Sequence, residues 1–193
     1  MNSFFDKIST NPIIASINSL EKLDIALTSP CEIIFLMTGN IFNLKEISSK
    51  VALANKSLYI YIDLIDGFSK DTWGLEYIIK NIQLDGIITS KENLVKLSKD
   101  MGVFTIFRMF IPDSKALKQG LDFIKTNHPH GIEILPAPMT KVIQKISNEI
   151  QIPIIASGLV MDLIDVNNIL DAGALAISTS NENLWYLNFT TKE

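Results

Sequence analysis

Three charged residues stand inside runs that are otherwise apolar: Asp63 in "YIYIDLID", Arg108 in "FTIFRMF" and Glu133 in "GIEILP". A charge taken out of water is costly unless it is paired or hydrogen-bonded. Such residues therefore either tie to one another as an internal salt-bridge cluster or hold a ligand. Two carboxylates and a guanidinium suit a hydroxylated anion. Two later runs end on small polar residues, Ser157-Gly158 followed by Leu159, and Ser178-Thr179-Ser180 followed by Asn181. Gly158 has no side chain in the way of a backbone approach, and the hydroxyls of Thr179 and Ser180 can donate. Ser180 and Asn181 open "NENLWYL", read as a short helix whose first N–H groups suit a phosphate.

Eight short runs could position these residues. They begin near Pro12, Glu32, Ser57, Gly86, Phe104, Gly131, Pro153 and Ala174. The shortest interval runs from Gly86 to Phe104 and the longest from Ser57 to Gly86, spacing that fits strand, loop, helix, loop. Segments between them, such as "NLKEISSKVALAN" and "SKALKQGLDFIKT", repeat apolar residues every three or four positions as amphipathic helices do. Asp113 and Asp162 are placed to cap helices, and Gly102 and Gly173 to end them. Near-continuous apolar strands are those of a parallel sheet buried on both faces. Eight alternating units predict a single (β/α)₈ TIM-type barrel over residues 1–193 with short loops, since about 250 residues is usual for the fold. In that fold the site lies where the strands end. Alternation of side chains along a strand then directs Asp63, Arg108 and Glu133 toward the upper barrel axis, with the ends of strands seven and eight at the usual phosphate position.

The chain has 193 residues, is 47% apolar and carries a net charge of -4. That composition fills a core and excludes a uniformly basic nucleic-acid-binding surface. One cysteine, Cys31, excludes an intrachain disulfide and suits a reducing compartment. No apolar run is long enough to span a membrane, and no signal peptide is expected. A cytoplasmic protein is expected. No metal site is expected: His128 and His130 precede the sixth strand, in a loop at the end opposite the site, with no further ligands beside them. Trp73 and Trp185 are read as packing residues.

The sequence resembles the glycerol-3-phosphate-responsive antiterminators, also called glycerol uptake operon antiterminator regulatory proteins. The match is carried by "FLMTGNIFNLKEI", "YIDLIDGFSKD", "DGIITSK", "TIFRMFIPDS", "IEILPAPMTKVI", "IPIIASGLV" and "AGALAISTSNENLW". It extends from about Pro12 to Trp185. The resemblance implies a barrel that binds glycerol 3-phosphate without turning it over, has no cofactor or catalytic residue, and acts on leader mRNA to carry transcription past a terminator. It points to Asp63, Lys91, Arg108, Glu133, Gly158, Thr179 and Ser180 as ligand positions. Leu159 and Asn181 are expected among the ligand positions as well. Relative to the family's pattern, Tyr61 stands where histidine is usual, Ala137 and Ser157 where glycine is usual, and Asn18 where a basic residue often follows the first strand.

A phosphate-binding barrel enzyme of aldolase or isomerase type is the competing class. A Schiff-base aldolase needs a desolvated lysine, and Lys91, the one candidate, follows Ser90 at a helix start. An isomerase needs a base, for which Asp63 or Glu133 would serve, but no histidine lies at that end. For RNA, a local basic surface is required. From Lys91 to Ile150, nine Lys and Arg face six Asp and Glu. Lys118, Lys141 and Lys145, on neighbouring outer helices, are the expected RNA contacts.

Overall fold

A computed structural model describes residues 4–67, 69–187 and 189. Eight parallel strands close on themselves in chain order: β1 (Ile13–Ile17), β2 (Ile33–Leu36), β3 (Ser57–Tyr61), β4 (Gly86–Thr89), β5 (Phe104–Phe110), β6 (Gly131–Leu135), β7 (Ile154–Ser157) and β8 (Ala176–Thr179). Closure is made by β8 on β1, with Ile13 beside Ile177 and Ala15 beside Thr179. The (β/α)₈ barrel is thus the observed fold.

The helices are α1 (Phe4–Thr10), α2 (Leu23–Thr28), α3 (Leu44–Leu53), α4 (Thr72–Asn81), α5 (Glu92–Asp100), α6 (Ser114–Asn127), α7 (Thr140–Glu149), α8 (Leu163–Asp171) and α9 (Glu182–Trp185). Asp113 caps α6 by accepting from the Ala116 N–H at 2.8 Å, and Asp162 caps α8 through the Asp165 N–H at 3.0 Å. Asp71 caps α4 in the same way. Gly102 and Gly173 follow α5 and α8 with φ of +75° and +103°, a conformation that spares glycine the Cβ penalty.

Strand alternation sorts the apolar residues into two cores. Ile13, Ile34, Ile60, Ile87, Phe107, Ile132, Ile134 and Ile177 face the helices. Ile14, Phe35, Tyr59, Ile88, Ile106, Ile155 and Ala176 fill the barrel. Gly86 is required by the second core: a Cβ there would stand 2.6 Å from the Phe104 carbonyl oxygen and 2.6 Å from the Tyr59 ring. Helix α1 closes the lower end, with Phe4 and Ile8 packed into the barrel core. The Phe4 ring lies 5.3 Å from Tyr59 and 5.2 Å from Phe104.

Two sequence expectations need correction. Trp73 is 78% exposed and does not pack, whereas Trp185 is fully buried. The indole N–H of Trp185 donates to the Thr179 carbonyl at 2.8 Å, which ties α9 to the end of β8. Asp63 does not continue the inward alternation of β3. The strand stops at Tyr61, and Ile62–Leu64 form a 3₁₀ turn, so the period of two no longer governs where Asp63 points.

Candidate functional site at the barrel mouth

The upper end of the barrel opens into a cleft of ≈ 610 Å³. Its lining includes Ser16, Asn18 and Met37 from the first two strand ends, Arg108 from β5, Ser157 to Met161 after β7, and Ser178 to Asn181 after β8. Of the expected site residues, Arg108, Gly158, Leu159, Thr179, Ser180 and Asn181 line it directly. Glu133 lies beneath it, fully buried.

Arg108 and Glu133 sit opposite each other on β5 and β6, and Arg108 Nη1 donates to Glu133 Oε2 at 2.6 Å. The guanidinium also lies over the Tyr61 ring, 5.0 Å from its centroid, an attraction between cation and ring face. Burial pushes the Glu133 carboxyl above the ordinary carboxylate range, although Arg108 and the hydroxyls of Ser157 and Ser178 beside it favour its charged form. Among the described residues, Glu133 Oε1 and Ser178 Oγ are buried without a hydrogen-bond partner of good geometry. Orphaned buried polar atoms of this kind are uncommon in folded proteins. Ser157 thus places a hydroxyl next to Glu133 at a position where family resemblance leads one to expect glycine. Ala137 is fully buried, and its N–H donates to the Gly158 carbonyl at 3.1 Å.

Asp63 and Lys91 lie apart from this pair. Asp63 accepts from the Thr89 hydroxyl at 2.8 Å, the Ser90 N–H at 2.8 Å and the Ser90 hydroxyl at 2.6 Å, binding the end of β3 to the end of β4. The Tyr61 hydroxyl donates to Ser90 Oγ at 3.3 Å and joins the same network. Lys91 is exposed at the start of α5, and its N–H donates to Thr89 Oγ1. The expected three-residue charge cluster is therefore one buried ion pair plus a carboxylate held by hydroxyls and an N–H.

The rim at β7 carries two left-handed residues in succession. Gly158 has φ +78° and Leu159 has φ +61°. A left-handed leucine is unfavourable, and backbone strain of this kind gathers at functional sites. Leu159 is 68% exposed at the cleft edge, so no packing demand explains its conformation. The N–H groups of Gly158, Leu159 and Ser180 meet no protein acceptor among the described residues. The short helix α9 offers less than its sequence suggested. Asn181 Oδ1 accepts from the Asn183 N–H at 3.2 Å, and the Asn181 N–H is taken by Thr179 Oγ1 at 3.1 Å.

Sequence reading missed Lys22. Asn18 occupies the position after β1, but Lys22, in the following 3₁₀ turn, reaches back to the Ser180 carbonyl at 3.2 Å and to Glu182 at 2.9 Å. Only closure of the barrel brings Lys22 beside Ser180, so no local signal marks it.

A second cleft of ≈ 350 Å³ opens near the start of β3, lined among others by Lys7, Lys56 and Asp85. Its charged groups are used by the fold. Lys7 donates to Ser57 Oγ, Lys56 to the Ser29 and Cys31 carbonyls, and Asp85 accepts from the Leu58 N–H. His130 Nδ1 accepts from the Thr105 N–H, and its ring stacks on Phe104.

Residues 13–185 match the family model described as glycerol-3-phosphate responsive antiterminator. The chain belongs to that family. A curated relative, the uncharacterized protein YgcP of Escherichia coli, is 35% identical over 177 residues, covering 92% of this chain and 93% of the relative. The crystal structure of the glycerol uptake operon antiterminator regulatory protein from Listeria monocytogenes superposes with a TM-score of 0.87 at 27% identity, covering 91% of this chain and 95% of that one. A glycerol uptake operon antiterminator-related protein from Thermotoga maritima superposes at 0.81 with 29% identity, covering 90% and 96%. The family match begins at the first strand, so α1, which closes the lower end of this barrel, lies outside it. Among the described residues, no helix is long and apolar enough to cross a membrane.

Proposed function

We propose that this antiterminator-family protein binds glycerol 3-phosphate at the barrel mouth without turning it over, and that the liganded protein acts on leader mRNA in the cytoplasm to carry transcription past a terminator. The observation that carries this reading is the cleft at the ends of β7 and β8, where unpaired N–H groups of Gly158, Leu159 and Ser180 stand beside the Thr179 and Ser180 hydroxyls. Unpaired N–H groups suit a phosphate, and Gly158 has no Cβ in the way. Arg108 supplies a positive charge farther in. Binding rather than turnover is favoured because Lys91 is exposed at a helix start instead of desolvated on the barrel axis, which does not suit Schiff-base chemistry.

Ligand at about 100 times its dissociation constant should stabilise the protein by about 2.7 kcal/mol. At roughly 2–4 °C per kcal/mol for a chain of this size, the melting temperature rises by about 5–10 °C. Glycerol at the same concentration gives a much smaller rise, because it lacks the phosphate. Equal shifts for the two compounds, or none at millimolar glycerol 3-phosphate, would refute the reading.

For RNA, Lys118, Lys125 and Lys145 line one groove between α6 and α7. Lys125 and Lys145 share Glu149, at 2.9 and 3.5 Å, and Lys99 is bound to the carbonyls ending α6. The basic surface is thus narrower than the count of lysines suggests. Changing Lys118, Lys141 and Lys145 to Glu should abolish leader-RNA retention in filter binding and terminator read-through in vitro, with glycerol 3-phosphate binding intact. RNA retention unaffected by the triple change, or insensitive to salt, would place the contact elsewhere.

A further inference from the structure

The polar atoms beneath the cleft have a common sense. Glu133 is paired with Arg108 through Oε2, so it is a carboxylate and its free Oε1 can only accept. Ser157 and Ser178 stand beside it and favour its charge, and Ser178 Oγ, like Oε1, has no partner, so its lone pairs are open to a donor. Both serines border the cleft, and both are more than nine-tenths buried. The only cationic donor in this group is Arg108, already engaged by Glu133 and held over Tyr61.

We infer that this floor reads the oxidation state of the ligand's tail: it selects a phosphate ester whose carbons carry hydroxyl donors and rejects one bearing a ketone. The inference rests on the proposed binding of glycerol 3-phosphate with its phosphate at the β7 and β8 rim. From there the three-carbon tail extends inward. A hydroxyl over the floor satisfies Glu133 Oε1 or Ser178 Oγ, the two atoms that the protein leaves without partners. A carbonyl oxygen in the same place sets lone pairs against lone pairs and leaves a buried carboxylate oxygen unpaired. Sites built to hydrogen-bond a hydroxyl discriminate strongly against analogues that lack it. Glu133 is accordingly a specificity-determining residue, and the protein responds to the reduced triose phosphate alone.

The test is calorimetric titration with glycerol 3-phosphate and with dihydroxyacetone phosphate, which differs in carrying a ketone at the central carbon. Wild-type protein should prefer glycerol 3-phosphate by at least about 100-fold, the scale expected when a buried acceptor loses its donor. Glu133→Gln presents an amide N–H that can donate to a carbonyl. The preference should fall below about tenfold, chiefly through tighter dihydroxyacetone phosphate binding. Should that variant lose its cooperative melting transition, Ser178→Ala keeps the ion pair and removes one acceptor. It should weaken glycerol 3-phosphate by about tenfold and leave the ketone's binding nearly unchanged. Equal affinity of the wild-type protein for both compounds overturns the inference and leaves the proposed function standing. So does a preference unchanged in folded Glu133→Gln or in Ser178→Ala. Failure of wild-type protein to bind glycerol 3-phosphate at all overturns the proposed function itself, and the inference with it.

Discussion

The two ends of the barrel interior are built from opposite materials. At the lower end, Phe4, Tyr59, Phe104 and Phe35 form a cluster of rings with centroids 5.2 to 5.7 Å apart, and α1 seals it from below. At the upper end β5 to β8 present Arg108, Glu133, Ser157 and Ser178, and the cleft stays open. Strand β5 contributes to both ends, and there the contrast is set by which inward position holds which residue: Phe104 and Arg108 are both inward positions, four residues apart. The lower end is filled with the groups that gain most from leaving water. The upper end holds an ion pair and two orphaned atoms, an arrangement that adds little to stability and makes sense as a place for a ligand. The buried ion pair of the barrel interior lies at the end where helices begin.

The contrast can be broken most forcefully at Arg108. Arg108→Ala leaves Glu133 charged and unpaired in the core, which costs about 3–5 kcal/mol. Thermal denaturation should show a loss of at least about 6 °C, and glycerol 3-phosphate should no longer stabilise the variant. A wild-type melting temperature would mean that Glu133 takes a proton without penalty. At the other end, Phe4→Ala removes one ring of the seal and should destabilise by about 3 kcal/mol while ligand affinity stays within twofold, a factor below about 0.5 kcal/mol. A large change in affinity would show that the two ends are coupled rather than separate.

The smallest effect concerns pH. Because burial raises the Glu133 pKa in the folded protein, the native state binds this proton more readily than the unfolded chain does. The resulting stabilisation is complete below the ordinary carboxylate range and is lost as pH rises through the raised value. Glu133→Gln should remove that limb, so a plot of melting temperature against pH is flatter for the variant than for the wild type just above the carboxylate range. Parallel profiles would show that Glu133 has an ordinary pKa.

Much of this architecture is legible along the chain. Eight apolar runs, the helical periodicity between them, and the caps Asp113 and Asp162 are local features, and each depends on residues a few positions apart. The inward directions of Arg108 and Glu133 follow from strict alternation while a strand lasts. Asp63 escapes that logic because β3 ends two residues before it, and hydrogen bonding to Thr89 and Ser90 decides where it goes. The helix α1 escaped as well: "FFDKIST" has barely two turns, too few for periodicity to register, and is stabilised by the hole it fills.

What the sequence determines alone is therefore the count and order of units and the face on which a charge must lie, because propensity, patterning and capping act over one turn or one strand. The pairing of Arg108 with Glu133 across β5 and β6, the orphaned Oε1 and Ser178 Oγ, the left-handed Leu159 and the approach of Lys22 to Ser180 depend on tertiary structure. Lys22 and Ser180 are 158 positions apart, and only the register in which β8 closes on β1 brings such residues together.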